Sequence, residues 1–144
     1  LGKVFQGVLM ADPKQMGGSP SALIRLWVHE CRRVFRDRLV SDEDSGWFDK
    51  QTGRLVHEWF RREWVDVVRD GGVDESTAQG GEEARLLFGD YMARGTDTKV
   101  YAEVKDMGAL VRTMVESLDD YNAQTKSPMN LVLFMDAIEH VSRV

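Results

Sequence analysis

Apolar residues recur through most of this chain at the spacing of an amphipathic helix, and only briefly at any other spacing. Val4, Phe5, Val8 and Leu9 set the pattern at the start. Ala11-Asp12-Pro13 ends it, because the residue before a proline avoids the helical region. Met16-Gly17-Gly18 forms a flexible joint, and Ser19-Pro20 supplies an N-cap with proline at the first helical position. The spacing predicts a helix over residues 20 to 39, with Leu23, Ile24, Trp27, Val28, Cys31, Val34 and Phe35 on one arc. Arg25, His29, Arg32, Arg33 and Arg36 fall on the opposite arc. Arg38 projects among the apolar positions, where a guanidinium must be paired or snorkel to water.

A third helix opens on Ser41-Asp42-Glu43-Asp44, an acidic first turn suited to the positive end of a helix dipole. Its face continues through Phe48, Leu55, Val56, Trp59, Phe60, Trp64, Val67 and Val68, with a break predicted near Gly53, since a helical glycine costs about 1 kcal/mol relative to alanine. Residues 70 to 84 lack periodicity and are rich in glycine and acid, which predicts an exposed loop. Leu86 to Tyr91 reads as an extended connector, Arg94 to Asp97 as a turn, and Val100 to Val104 as a second extended piece. Met107, Leu110, Val111, Met114, Leu118 and Tyr121 give a helical stripe, and Leu131, Phe134, Ala137, Ile138, Val141 and Val144 another. Leu131-Val132-Leu133-Phe134 is apolar on every side and is expected to be buried all round. The three prolines, Pro13, Pro20 and Pro128, lie between these stretches, so the predicted class is all-α.

Composition refines this picture in three places. The chain has 144 residues of which 42% are hydrophobic, enough to form a real core. A formal net charge of −5 argues against binding nucleic acid or an anionic membrane through bulk charge. That charge is unevenly placed: residues 1 to 65 carry a net +2 and residues 66 to 144 a net −7, which suggests two structural units joined near the glycine-rich loop. Cys31 is the sole cysteine, so no intrachain disulfide can form, which fits a reducing compartment. No apolar run reaches the length of a membrane span, and no charged-then-apolar leader opens the sequence. Leu1 stands inside an apolar pattern and Val144 on a helix face without a stop signal, so a piece of a longer polypeptide is expected.

Candidate chemistry is sparse. His29-Glu30 lacks the second histidine of a zinc peptidase, since Arg33 occupies that position, and His57 and His140 are distant; no metal site is expected. Cys31 lies on the apolar arc, where a thiol is inert, so no catalytic residue is assigned. No Gly-x-x-x-x-Gly-Lys-Ser/Thr sequence is present to cradle a phosphate. His57-Glu58-Trp59-Phe60-Arg61-Arg62-Glu63-Trp64 mixes aromatics with arginines, but Phe60 and Trp64 fall on the apolar face, which favours packing over base stacking. The stripe Arg25, His29, Arg32 and Arg36 can meet an acidic neighbour, since arginine suits bidentate recognition of anions; the plainer reading is a solvated face with i to i+4 pairs.

Several phrases taken in order resemble one family. They are Val4-Phe5-Gln6-Gly7-Val8-Leu9, Leu23-Ile24-Arg25-Leu26-Trp27-Val28-His29-Glu30-Cys31, Arg33-Val34-Phe35-Arg36-Asp37-Arg38-Leu39, and Asp44 with Trp47-Phe48. Leu87-Phe88-Gly89-Asp90-Tyr91, Asp120-Tyr121-Asn122, Met129 to Phe134 and Asp136 to Arg143 follow. Together they resemble the dynein heavy chain motor, closer to axonemal than to cytoplasmic chains and with inner and outer arms both open, where the helical lid of its third AAA+ module passes into the start of the fourth. The resemblance implies an AAA+ small-subdomain bundle over residues 1–85, with the loop 70–84, and a connector plus the first helices of the next large subdomain over 86–144. It implies no catalysis by this stretch, with ATP or ADP and magnesium held elsewhere in the parent chain. Leu131 and Val132 would then line the adenine pocket of the fourth module.

The resemblance further implies a structural and coupling element in ATP-driven, microtubule-based movement of cilia or flagella, located in the cytoplasm and the axonemal cytoskeleton. Its expected partners are the neighbouring AAA+ modules, with microtubules and dynein intermediate and light chains bound by the parent, and neither nucleic acid nor membrane. The rival is an independent helical interaction module that grips an acidic partner through the arginine face. The rival predicts an ordinary polar surface from Met129 onward, whereas the lid reading predicts an exposed apolar patch there.

Overall fold

The computed structural model of the chain describes residues 1–72, 85–93 and 99–143. The loop expected at 70–84 therefore lies mostly, and the turn at 94–97 wholly, outside the described residues. Six α-helices, one 3-10 turn and a two-stranded ribbon make up the rest: α1 Gly2–Met10, α2 Pro20–Val34, the turn Arg36–Arg38, α3 Asp42–Phe60 and α4 Trp64–Arg69, then β1 Phe88–Gly89, β2 Ala102–Glu103, α5 Met107–Gln124 and α6 Met135–Arg143. The fold is mostly helical, as the apolar periodicity predicts.

Local chemistry accounts for the boundaries. Proline at the first turn of α2 has no N–H to leave unsatisfied. The Ser41 hydroxyl caps α3 by accepting from the Asp44 N–H at 3.1 Å, and three acidic residues follow in its first turn. Asp106 caps α5 in the same way through the Ala109 N–H at 2.8 Å. The second helix is shorter than its periodicity suggests, since the chain tightens into the 3-10 turn after Phe35. Arg38, at the end of that turn, keeps its side chain in water.

Helix α3 corrects the break expected at Gly53: it runs unbroken to Phe60 and stops at Arg61, whose φ of 54° is left-handed. Thr52 and Val56 are buried on either side of Gly53, and that anchoring outweighs the propensity cost of one glycine. A second correction concerns residues 131–134. They are not helical, and Leu131, Val132 and Phe134 are 54%, 84% and 61% exposed, so the apolar run lies open rather than buried. Only Leu133 of the four turns inward against a core.

Buried residues gather into two clusters. The first joins α2, α3 and α4 through Ile24, Leu26, Val28, Val56 and Val67, and includes Leu86 and Phe88. The second holds Leu87, Val104, Leu110 and Ile138. Successive side chains of an extended strand point to opposite faces, so 86 and 88 enter one core while 87 enters the other. The ribbon is antiparallel, with Phe88 opposite Glu103 and Gly89 opposite Ala102, and the Val104 N–H donates to the Leu87 carbonyl at 2.9 Å. Connector and ribbon thus form a wall shared by both cores.

Candidate functional site

Helix α2 is enclosed on nearly every side. Ile24, Leu26, Val28 and Cys31 are buried, and so are Ser21, Arg25, His29, Glu30 and Arg32. The arginine arc expected to be solvated, or free for an acidic partner, is instead taken up largely inside the chain, because the connector and β2 lie across it. Burying these charges demands partners, and most of them come from other segments of the chain.

Arg25 is 4% exposed and grips Glu103 of β2 with two bonds, Nε to Oε1 at 2.7 Å and Nη2 to Oε2 at 2.9 Å. Its Nη1 donates to the Val67 carbonyl of α4 at 2.9 Å, so one guanidinium joins three elements. Glycine at position 71 leaves it room, since a Cβ there would come within 2.9 Å of the guanidinium. One turn further along α2, His29 Nδ1 lies 3.1 Å from the Leu86 carbonyl. A carbonyl can only accept, so Nδ1 carries the proton and Nε2 presents a lone pair. Burial pulls the His29 pKa down to about 4, against the opposing pull of the Leu86 carbonyl and Glu30, so the ring is neutral at pH 7.

Glu30 is the most enclosed acid of the seam, with no exposed surface. The Tyr101 hydroxyl donates to its Oε1 at 2.6 Å, and Arg33 Nε donates to its Oε2 at 2.9 Å. Burial first, and then the hydrogen bond to Glu30, push the Tyr101 phenol up, so it remains a donor. Gly7 of α1 lies against the same carboxylate: a Cβ at position 7 would fall 1.9 Å from Glu30 Oε2. Arg32 and Arg36 bracket Asp49 of α3 at 3.2 and 2.9 Å, and Arg32 lies over the Trp64 ring at 6.0 Å. At the far end Asp37 accepts from Arg143 Nε of α6 at 2.9 Å.

Four of the six predicted site residues, Arg25, His29, Arg32 and Arg36, are therefore brought together in one seam. Leu131 and Val132 lie apart from it with their side chains toward solvent. Burial raises the Cys31 thiol to about 11, so it is protonated at pH 7. Phe60 meets Trp27 at 5.6 Å between ring centroids, in keeping with packing. Among the described residues no three metal-ligating side chains converge. Glu30, Tyr101, Glu103 and Gly7 were not foreseen as site residues. The only sequence signal for them is local: Glu30 is three before Arg33, and Tyr101 and Glu103 are two apart on an extended stretch, hence on one face.

Residues 1–70 match the AAA+ lid domain, which agrees with the helical bundle built around α2. The matched stretch takes in helices α1 to α4 and ends just short of the middle of the chain. Over its whole length the chain is similar to axonemal dynein heavy chains. It is 38% identical over 144 residues to dynein axonemal heavy chain 1 of Homo sapiens and 37% identical over 144 residues to the dynein alpha chain, flagellar outer arm, of Chlamydomonas reinhardtii. It is also 34% identical over 146 residues to dynein axonemal heavy chain 3 of Mus musculus. All or nearly all of this chain is aligned in each case, yet it spans only about 3% of the length of these relatives.

Proposed function

We propose that this chain is a non-catalytic coupling segment of an axonemal dynein heavy chain, at the passage from the lid of the third AAA+ module into the fourth. The lid would occupy 1–85 and the entry to the next module 86–144. The observation that carries the reading is the shared wall: Leu86 and Phe88 complete one core, Leu87 the other, and Arg25 and Glu30 bolt the wall to α2. Such a junction transmits rotation as a unit, because packed interfaces do not deform continuously. The open apolar stretch from Met129 to Phe134 supports this reading over an independent interaction module, whose arginine grip is already occupied by acids of the same chain.

In this reading ATP or ADP and magnesium bind to flanking parts of the parent, with Leu131 and Val132 contributing to an adenine pocket completed elsewhere. Neighbouring AAA+ modules are the direct partners, and microtubules and intermediate and light chains are partners of the parent in the axoneme of a cilium or flagellum. The test is Glu103→Gln in the parent heavy chain, with microtubule gliding and ATP turnover measured together. Gliding is expected to slow while turnover persists. Unchanged gliding speed refutes the coupling role.

A further inference from the structure

Helix α6 is held to the rest of the chain by one buried side chain and a series of charges. Of its nine residues, Ile138 alone is buried. Most of its other attachments are charges in series. Arg143 Nε bonds Asp37 of the 3-10 turn at 2.9 Å, Arg143 Nη1 lies 3.7 Å from Glu139, and Glu139 lies 3.0 Å from Arg85 Nε. Arg85 in turn stands 3.9 Å from Asp136. This row runs from the lid's turn, along α6, to the start of the connector.

Packing beneath α6 is incomplete. A groove of about 240 Å³ separates it from the connector, lined by Met10, Phe88, Tyr91, Val141, Ser142 and Arg143 among others. The Tyr91 phenol lies in this groove beside Ser142 of α6, its pKa raised by burial against the opposing hydrogen bond to Ser142. A helix with one apolar anchor, an ionic row and an unfilled groove below is docked by electrostatics rather than by close packing. By contrast, the connector is fixed to α2 by buried apolar contacts as well as charges.

We propose that the Asp37–Arg143 pair is an ionic latch, and that the last turns of α6 are a releasable element which swings away from the 3-10 turn about Ile138, while Ile138 itself stays in the second core. The chain then has a permanent joint, the shared wall, and a breakable one in parallel with it. Closed, the latch makes the end of α6 follow the 3-10 turn; open, it lets that end move while Ile138 keeps the helix on Leu87, Val104 and Leu110. The proposal needs only the fold and is independent of any role in a motor.

The test is amide hydrogen exchange on the whole chain, wild type against Asp37→Asn, with Asp37→Glu as the conservative control. Removing the charge at position 37 is expected to raise exchange in residues 136–143 at least tenfold, leave α2 and α3 unchanged, and be largely reversed by Asp37→Glu. Arg143→Gln, which cuts the latch from its other side, is expected to reproduce the pattern. Unchanged exchange in α6 overturns the proposal, since Ile138 then holds the helix unaided. A uniform rise through α2 and α3 overturns it equally, because the pair is then part of the lid's general stability.

Discussion

The Arg25–Glu103 pair gives the sharpest energetic test of the seam. The two side chains are 4% and 12% exposed, and Arg25 makes three hydrogen bonds of 2.7 to 2.9 Å, two to Glu103 and one to the Val67 carbonyl. Arg25→Met removes a charge of similar length to its replacement, leaving the carboxylate and the carbonyl without their donor. Breaking a buried ion pair from one side costs about 3–5 kcal/mol, mostly through the partner left behind. Glu103→Met strands the guanidinium and is expected to cost about the same. The double variant leaves neither charge uncompensated, so it should be less destabilised than the two single variants combined, by about 2 kcal/mol or more. Urea unfolding followed by far-UV circular dichroism and by tryptophan fluorescence measures the cycle, with the slope checked for constancy across variants. Additivity within about 0.5 kcal/mol would mean that the two residues are energetically independent, and the argument that the seam joins α2 to β2 through charge would fall.

Two further outcomes follow from the same seam. Gly7→Ala places a methyl where the Glu30 carboxylate stands, 1.9 Å from Oε2, and is expected to destabilise the fold by about 3 kcal/mol, read as a lowered thermal midpoint; a change under about 0.5 kcal/mol would show that α1 shifts freely. His29, neutral in the fold with a pKa of about 4 against 6.5 when free, makes the unfolded chain bind one more proton than the native chain between those values. Its contribution is therefore complete above pH 6.5 and is lost as pH falls toward 4, by roughly 3 kcal/mol in all. His29→Asn should flatten that part of the stability–pH profile, and a profile as steep as the wild type would contradict it.

What was legible in the sequence is what depends on local periodicity. The helix starts at Pro20 and Ser41, the extended pieces around Phe88 and Ala102, and the inert surroundings of Cys31 all follow from neighbours within a few residues. The arginine arc was misjudged for a physical reason: a polar face on a helical wheel looks the same whether it meets water or an acid 78 residues away, as Arg25 meets Glu103. Conversely, the apolar stripes at Phe5 and Leu9, or at Trp59, tell which face is apolar but not what covers it, and here these side chains are largely exposed. The run at 131–134 combines both effects, because its composition implies burial while Pro128 and the late start of α6 leave it as an open strap. Gly53 shows the reverse weighting, since a local penalty of about 1 kcal/mol is small beside two buried neighbours.

The alternation of Leu86, Leu87 and Phe88 between two cores also bears on the order in which the chain takes shape as it is synthesised. A polypeptide that has emerged only as far as residue 70 has helices α1 to α4 but lacks the side chains of Leu86 and Phe88 that close their core, and the Glu30 carboxylate still awaits Tyr101. Helices formed by then remain loosely assembled until the ribbon arrives, because long-range partners must be delivered before their contacts can form. Completion of the lid is thus tied to translation of roughly thirty more residues, up to the Glu103 that closes on Arg25. The first core is closed only by residues made after its helices.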